Sequence, residues 1–144
     1  MNNKKNEKKY YKIFIMTSDN YYFIIEKRKL YKSMFFLNIF NNDKTSGNIR
    51  NPLFLKNIKS KYLKYIQTYL EYYYDKNDKF IITDNITYYN INKYLQNDFD
   101  KRFINILKND FNNDENLLNM LKYFNIESLN KKIELLEIFI KAKK

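Results

Sequence analysis

The 144-residue sequence contains no cysteine and no histidine. Without cysteine there is neither a disulfide framework nor a thiolate metal site, and without histidine the commonest acid, base and zinc ligand at neutral pH is missing. The chain also has a single glycine and a single proline. Asparagine and aspartate must therefore supply the turn and left-handed conformations that glycine usually provides.

Long apolar runs are lacking as well. The charged start of the chain is followed by only four apolar residues, Ile13 to Met16, which is too short for the apolar region of a signal peptide. No stretch approaches the ~20 apolar residues of a membrane helix. The sequence therefore predicts a soluble cytoplasmic or nuclear protein with no membrane partner.

What the chain does contain is enough apolar material for a core. Hydrophobic residues make up 44% and aromatic residues 19% of the sequence, which argues against disorder. The length suits one domain and is too short for two comfortable ones. We expect a single domain over residues 10–142, preceded by a polar, basic tail at residues 1–9.

The net charge of +11 raises the question of nucleic acid, because lysine and arginine neutralise phosphates. The lysines are spread over every segment and interleaved with aspartate and glutamate, so the sequence shows no local basic patch. Binding to nucleic acid is therefore disfavoured.

Strand patterns stand at the start of the chain. Residues 12–17 and 21–26 are rich in Ile, Phe and Tyr and flank Asp19-Asn20, which predicts a β-hairpin. Ser33 is a candidate N-cap for a helix over Phe35 to Phe40, and residues 53–55 form a candidate third strand. A second, peripheral hairpin is predicted at residues 79–91.

Helical spacing dominates the rest of the chain. An apolar stripe begins after Ser60, a short helix is predicted around Phe103, and Asn112 with Glu115 resembles a capping box at the start of the next helix. The stripe of the last predicted helix consists of Leu129, Ile133, Leu136 and Ile140. Strands and helices segregated in this way predict an α+β domain.

Three stretches, taken in order, resemble the Skp-type and Elongin C adaptors of the BTB/POZ superfamily. The first is Ile13-Phe-Ile-Met-Thr-Ser-Asp-Asn-Tyr-Tyr-Phe-Ile-Ile25, in which Asn20 stands where the family has glycine. The second is Leu53-Phe-Leu-Lys-Asn-Ile58 followed by Tyr62 to Tyr72. The third, Leu117-Leu-Asn-Met-Leu-Lys-Tyr-Phe-Asn-Ile126, is similar to the family segment Leu-Leu-x-Ala-Ala-Asn-Tyr/Phe-Leu-Asp-Ile.

The resemblance covers most of residues 10–141 and implies a BTB/POZ fold. That fold has a small mixed sheet with an N-terminal hairpin, a cluster of short helices that covers the sheet and, in Skp-type chains, an extra C-terminal helix. Residues 75–98 form an insertion where Skp-type proteins carry a variable acidic loop. Lys122 replaces a family asparagine and Asn125 a family aspartate.

The resemblance also implies a non-catalytic adaptor of a cullin-RING ubiquitin ligase, which bridges a substrate receptor and a cullin. The receptor's F-box or BC-box helix would bind in an apolar pocket. By position, the pocket residues are Tyr69, Leu107, Leu117 and Ile126. Lys122 and Tyr123 would face the cullin.

Other hypotheses remain open at this point. Core packing is the alternative role for the four pocket residues, since apolar helix stripes are more often interior. The chain could also bind an Elongin B-like ubiquitin-fold partner or form a homodimer. The alternative function is a self-associating BTB/POZ scaffold without cullin binding. A basic nucleic-acid-associated protein is a less favoured alternative function. No enzyme, cofactor or metal is expected, because the chain has no phosphate-binding glycine loop and no nucleophile signature.

Overall fold

The computed structural model describes residues 11–43, 46–80, 94–95 and 97–142. Contacts divide the chain into two compact units, Met1–Asn77 and Asp78–Lys144, which we call the N-terminal unit and the C-terminal unit. The predicted tail at residues 1–9, most of the insertion at 75–98 and most of the second hairpin lie outside the described residues. The single domain over residues 10–142 stays a prediction.

The sheet of the N-terminal unit has three strands. β1 (Lys12–Thr17) pairs with β2 (Tyr22–Glu26) in antiparallel fashion and with β3 (Leu53–Leu55) in parallel fashion, which gives the order β2-β1-β3. Asn20 adopts a φ of 67° in the turn between β1 and β2, so it provides the left-handed conformation expected of it. The predicted hairpin and third strand are confirmed.

The described residues of this unit also form two α-helices. A short 3-10 helix (Lys27–Leu30) leads to α1 (Met34–Asn42), where the Ser33 side chain accepts a hydrogen bond from the backbone N–H of Phe36 at 3.3 Å, as its N-cap role predicts. α2 (Ser60–Tyr73) follows β3. Every residue of its predicted stripe is buried, namely Tyr62, Leu63, Ile66, Tyr69, Leu70 and Tyr73.

The carboxylate of Asp19 joins the hairpin turn to the start of α2. It accepts hydrogen bonds from Ser60 Oγ at 2.6 Å, from the Ser60 backbone N–H at 2.9 Å and from Thr17 Oγ1 at 2.6 Å. The Ser60 and Thr17 hydroxyls, in that order, lower the pKa of Asp19 from 3.8 to about 2 because they stabilise the carboxylate. A carboxylate beside the first turn of a helix also satisfies otherwise unpaired backbone N–H groups.

The single glycine lies where its small size is required. Gly47 has a φ of 97°, and its carbonyl accepts a hydrogen bond from the Phe14 N–H at 2.8 Å. A Cβ at this position would lie 3.3 Å from Cγ2 of Ile13. Any side chain would therefore combine an unfavourable backbone conformation with a tight contact on β1.

The described part of the C-terminal unit is helical. It contains α3 (Asp98–Phe111), α4 (Leu117–Tyr123) and α5 (Glu127–Ala142), and each of these helices contacts the other two. Asn97 caps α3, because its side chain accepts a hydrogen bond from the Asp100 backbone N–H at 2.7 Å.

The predicted capping box is wrong. α3 continues to Phe111, so Asn112 lies at the C-terminal end of that helix and cannot begin the next one. α4 starts only at Leu117, and the side chain of the preceding Asn116 makes no capping hydrogen bond. The chain between the two helices turns instead, with the Asp114 carboxylate accepting a hydrogen bond from the Asn116 N–H at 3.1 Å.

These elements bear out the α+β expectation at the level of class. The described residues form a small mixed sheet of three strands and five α-helices. The sheet and two of the helices belong to the N-terminal unit, and the other three helices belong to the C-terminal unit.

Candidate functional site

The segment from α4 to the start of α5 buries almost all of its apolar side chains. Its buried members are Leu117, Leu118, Leu121, Phe124 and Ile126. Met120 is half-buried, and Tyr123, at the end of α4, has 61% of its surface exposed. The helix therefore presents an aromatic ring to solvent from a well-packed base.

The end of α4 fixes the direction in which the chain leaves the helix. Asn125 has a φ of 51°, and its backbone N–H donates to the Lys122 carbonyl at 3.0 Å. Asparagine tolerates this left-handed conformation, which is common just after a helix end. The chain then enters α5 at Glu127. Tyr123 is thus held next to a defined turn.

Lys122, the other residue expected to face a cullin, is in a different situation. Its ammonium group pairs with the carboxylate of Glu137 on α5, and about a third of each side chain is exposed. Lys122 therefore connects α4 to α5, whereas Tyr123 projects outward.

The four residues expected to line a receptor pocket are all buried. Tyr69 belongs to α2 in the N-terminal unit, where its ring lies 4.7 Å from that of Tyr73. Leu107, Leu117 and Ile126 are buried in the C-terminal unit. All four take part in core packing, and binding of a receptor helix to them stays a prediction.

Ile106 is an exposed apolar residue of α3. In the structure it projects from α3 with half of its surface exposed, while its neighbour Leu107 is buried. Among the described residues of the C-terminal unit, Ile106 and Tyr123 are the large apolar side chains that are exposed.

A buried ion pair connects α3 to α5, and the sequence pattern did not reveal it. The Lys132 ammonium lies 3.0 Å from Oδ1 of Asp100, and both side chains are almost fully buried. Lys132 stands three residues after Leu129 and one before Ile133, so its position on the apolar stripe was the available signal. Its long-range partner was not evident from local spacing.

A polar contact and a ring flank this ion pair. Ser128 Oγ donates to the Asp78 carboxylate at 2.7 Å, and the Phe80 ring lies 5.6 Å from the Lys132 ammonium. This second distance is within the range of a cation–π interaction. We regard the cluster as structural because it is enclosed and already satisfied by partners within its own unit.

The described residues contain no group of three or more acidic, histidine or cysteine side chains that could hold a metal ion. None of the helices in the described ranges is both long and apolar enough to cross a bilayer.

Comparison of the sequence with models of known protein families gives no match, and comparison with curated proteins gives no significant match either.

Proposed function

We propose that this chain is a non-catalytic adaptor that adopts a BTB/POZ fold and bridges a substrate receptor to a cullin in a ubiquitin ligase. The arrangement of the N-terminal unit supports the fold. A hairpin followed by a strand parallel to β1, with α1 between them and α2 after them, has the element order that the resembling family implies.

The observation that carries the proposal is the exposure of Tyr123. An aromatic ring at the end of a helix whose three leucines are buried has a rigid base, so little conformational entropy is lost when a partner covers it. Tyrosine is among the residues most enriched in binding hot spots. Tyr123 also occupies the position to which the resemblance assigns cullin contact.

The receptor side of the proposal rests on helix-in-groove binding in the C-terminal unit. Leu107, Leu117 and Ile126 are buried in the free chain, so a receptor helix reaches them only where local packing opens. Ile106 is exposed beside Leu107 and supplies a first apolar contact. The receptor would thus bind first on α3 and then extend toward the buried residues.

A pull-down of the tagged full chain from cells that express it tests the cullin contact. Wild type is compared with Tyr123→Ala and with the matched control Tyr21→Ala, because Tyr21 has the same exposed fraction of 61%. Co-purifying proteins are identified by mass spectrometry. We expect wild type and Tyr21→Ala to retain a cullin and Tyr123→Ala to lose it.

Recovery of the chain alone or as an oligomer with itself, without a cullin, would contradict the adaptor proposal and favour a self-associating scaffold. Equal recovery of a cullin with all three proteins, each folded by circular dichroism, would contradict the assignment of the cullin contact to Tyr123. A parallel Ile106→Ala variant tests the receptor side, for which we expect loss of the receptor and retention of the cullin.

A further inference from the structure

The three-stranded sheet of the N-terminal unit is apolar on both faces. Along β1, Ile13, Ile15 and Thr17 are buried, so Phe14 and Met16 point to the opposite side. The strand register places partners from both neighbouring strands on that side. Ile24 lies opposite Phe14, while Tyr22 and Phe54 lie on either side of Met16.

These five residues, Phe14, Met16, Tyr22, Ile24 and Phe54, form a continuous surface that we call the outer sheet face. Tyr22 is 59%, Ile24 54% and Phe54 48% exposed, and the two β1 residues are half-buried between them. Sheets with one solvated face normally alternate apolar and polar residues. Isolated apolar surface residues are ordinary, but a contiguous apolar patch indicates a binding surface.

The composition of this face is that of a protein interface. Tyr, Phe and Met are enriched at the centres of such interfaces, and charged residues are depleted there. Lys12 and Glu26 face each other across the strands at one end of the face, where they form part of a polar rim. Phe14, Tyr22 and Phe54 have rings that could stack on bases, but Met16 and Ile24 between them offer neither rings nor donors for base edges, and none of the five residues carries a positive charge for phosphates. The face therefore suits a protein better than nucleic acid.

The positive charge of the chain is concentrated in the unit that carries this face. The N-terminal unit has 16 Lys and Arg and six Asp and Glu, which gives a net charge of +10. The C-terminal unit has 11 Lys and Arg and 10 Asp and Glu, which gives a net charge of +1. Residues 44–70 include six Lys and Arg and no Asp or Glu. The charge that looks evenly spread along the sequence is therefore asymmetric between the units.

The acidic groups of the described part of this unit are already engaged with neighbours. Their contacts are Asp19 with Ser60, Glu26 with Arg28, Asp43 with Ser46, Glu71 with Lys29, and Asp75 with Lys76. In contrast, the ammonium groups of Lys56, Lys59 and Lys64 are exposed and contact no carboxylate among the described residues. Lys56 directly follows β3, which carries Phe54.

From this combination we propose that the outer sheet face binds an acidic protein through an apolar surface patch on that protein, while Lys56 beside the face and the net positive charge of the unit attract its carboxylates. A second copy of this chain is disfavoured as the occupant because it would bring together two units of +10 each. The residues before Tyr10 are polar or charged except Met1, so they lack the apolar side chains to cover the face. This proposal does not depend on the adaptor function.

Site-specific photo-crosslinking tests what covers the face. Tyr22→p-benzoylphenylalanine is expressed in the full chain in its own cells and irradiated, and the adducts are identified by mass spectrometry. Tyr31→p-benzoylphenylalanine serves as the control, because Tyr31 is exposed in the same unit but lies outside the strands. We expect a Tyr22-specific adduct to a protein with net negative charge. The proposal would be overturned by an adduct to a second copy of the chain, to RNA or within the same chain, or by the absence of any adduct.

The sign of the partner's charge is tested by a matched pair of variants at one position. The partner identified from the adduct is purified in its free form. Its affinity is then measured for the wild-type chain and for the Ile24→Lys and Ile24→Glu variants. Both variants place a charge in an apolar surface. We expect the affinity for the partner to fall by roughly 30-fold or more, which is typical of a hot spot. Ile24→Glu should lose more affinity than Ile24→Lys, because the added carboxylate repels those of the acidic partner. Binding should also weaken as the ionic strength rises. An equal or greater loss for Ile24→Lys would refute the charge complementarity.

Cullin recovery distinguishes this proposal from the adaptor function. Tyr123→Ala should leave the Tyr22 adduct unchanged, and Ile24→Glu should leave cullin recovery unchanged. Either proposal can therefore fail while the other stands.

Discussion

The ammonium group of Lys132 lies 3.0 Å from Oδ1 of Asp100, and the two side chains are among the few buried polar groups in the described residues. The pair joins the first turn of α3 to the middle of α5, 32 residues apart in the sequence. Within a buried site a charge is tolerated only when it is paired and hydrogen-bonded. The packing of α5 against α3 therefore depends on both partners being present.

Removal of one member of this pair should destabilise the chain strongly. We expect Lys132→Met to lower the free energy of unfolding by about 3–5 kcal/mol, because it leaves the Asp100 carboxylate buried and without its ion-pair partner. Urea denaturation followed by circular dichroism measures the change. The matched control is Lys131→Met, which removes a partly exposed pair with Glu127 and should change stability by only about 0.5 kcal/mol.

The double variant Lys132→Met/Asp100→Leu separates loss of the pair from loss of packing. It should recover most of the stability, since replacing both charges with apolar groups leaves none unpaired. A single Lys132→Met variant as stable as wild type would show that the pair does not hold α5 in place.

The Asp19 carboxylate should make stability depend on pH in the acid range. Its pKa is about 2 in the folded chain, below the ordinary value of 3.8, so the unfolded state binds the proton more readily. The stabilisation is fully present above pH 3.8 and is lost as the pH falls toward about 2. Urea midpoints measured from about pH 5 to pH 2 should therefore fall less steeply for Asp19→Asn than for wild type.

The control for this pH series is Asp75→Asn, which removes another exposed carboxylate of the same unit. The change in steepness should be larger for Asp19→Asn, because Asp19 is the carboxylate that accepts hydrogen bonds from Ser60 and Thr17. A parallel acid limb for Asp19→Asn would mean that the hydrogen bonds from Ser60 and Thr17 do not contribute to folding.

A methyl group on the single glycine should weaken the contact between the loop and β1. Gly47→Ala combines a φ of 97° with a Cβ 3.3 Å from Ile13, and we expect a loss of about 1–2 kcal/mol in the free energy of unfolding. Asn20→Gly is the converse control. The φ of 67° at Asn20 suits glycine, so the change should stay within about 1 kcal/mol. Equal effects of the two substitutions would refute the conformational argument.

Local signals in the sequence predicted most of the N-terminal unit. The hairpin at Asn20, the cap at Ser33 and the stripe that includes Tyr69 each depend on residues within a few positions of one another. Such short-range patterns can be read without knowing what packs against them. Tyr123 was singled out by the resemblance and not by a local pattern; its ring is exposed, and its contact with a cullin stays a prediction.

The features that were missed depend on distant partners. Burial of Lys132 follows from Asp100, 32 residues away, and the exposure of Ile106 follows from which side of α3 the other helices cover. The outer sheet face arises only when the register brings Tyr22 and Phe54 beside Met16. The asymmetry of charge likewise needed the division into units.

Stability measurements on Tyr69 and Tyr123 decide how binding data on these residues should be interpreted. Tyr69 is fully buried against Tyr73, so we expect Tyr69→Ala to lower the free energy of unfolding by about 3–5 kcal/mol. Tyr123→Ala removes an exposed ring and should change it by about 0.5 kcal/mol or less. Tyr69→Phe keeps the ring, so its loss in the free energy of unfolding should lie between those of Tyr69→Ala and Tyr123→Ala.

Loss of a receptor with Tyr69→Ala alone would therefore reflect unfolding. A direct contact between Tyr69 and a receptor requires a different result, in which Tyr69→Phe stays folded by circular dichroism and still binds the receptor more weakly than wild type. Loss of a cullin with Tyr123→Ala needs no such correction, because the substitution leaves the buried residues of α4 in place. If Tyr69→Ala proves as stable as wild type, the assignment of Tyr69 to the core is wrong.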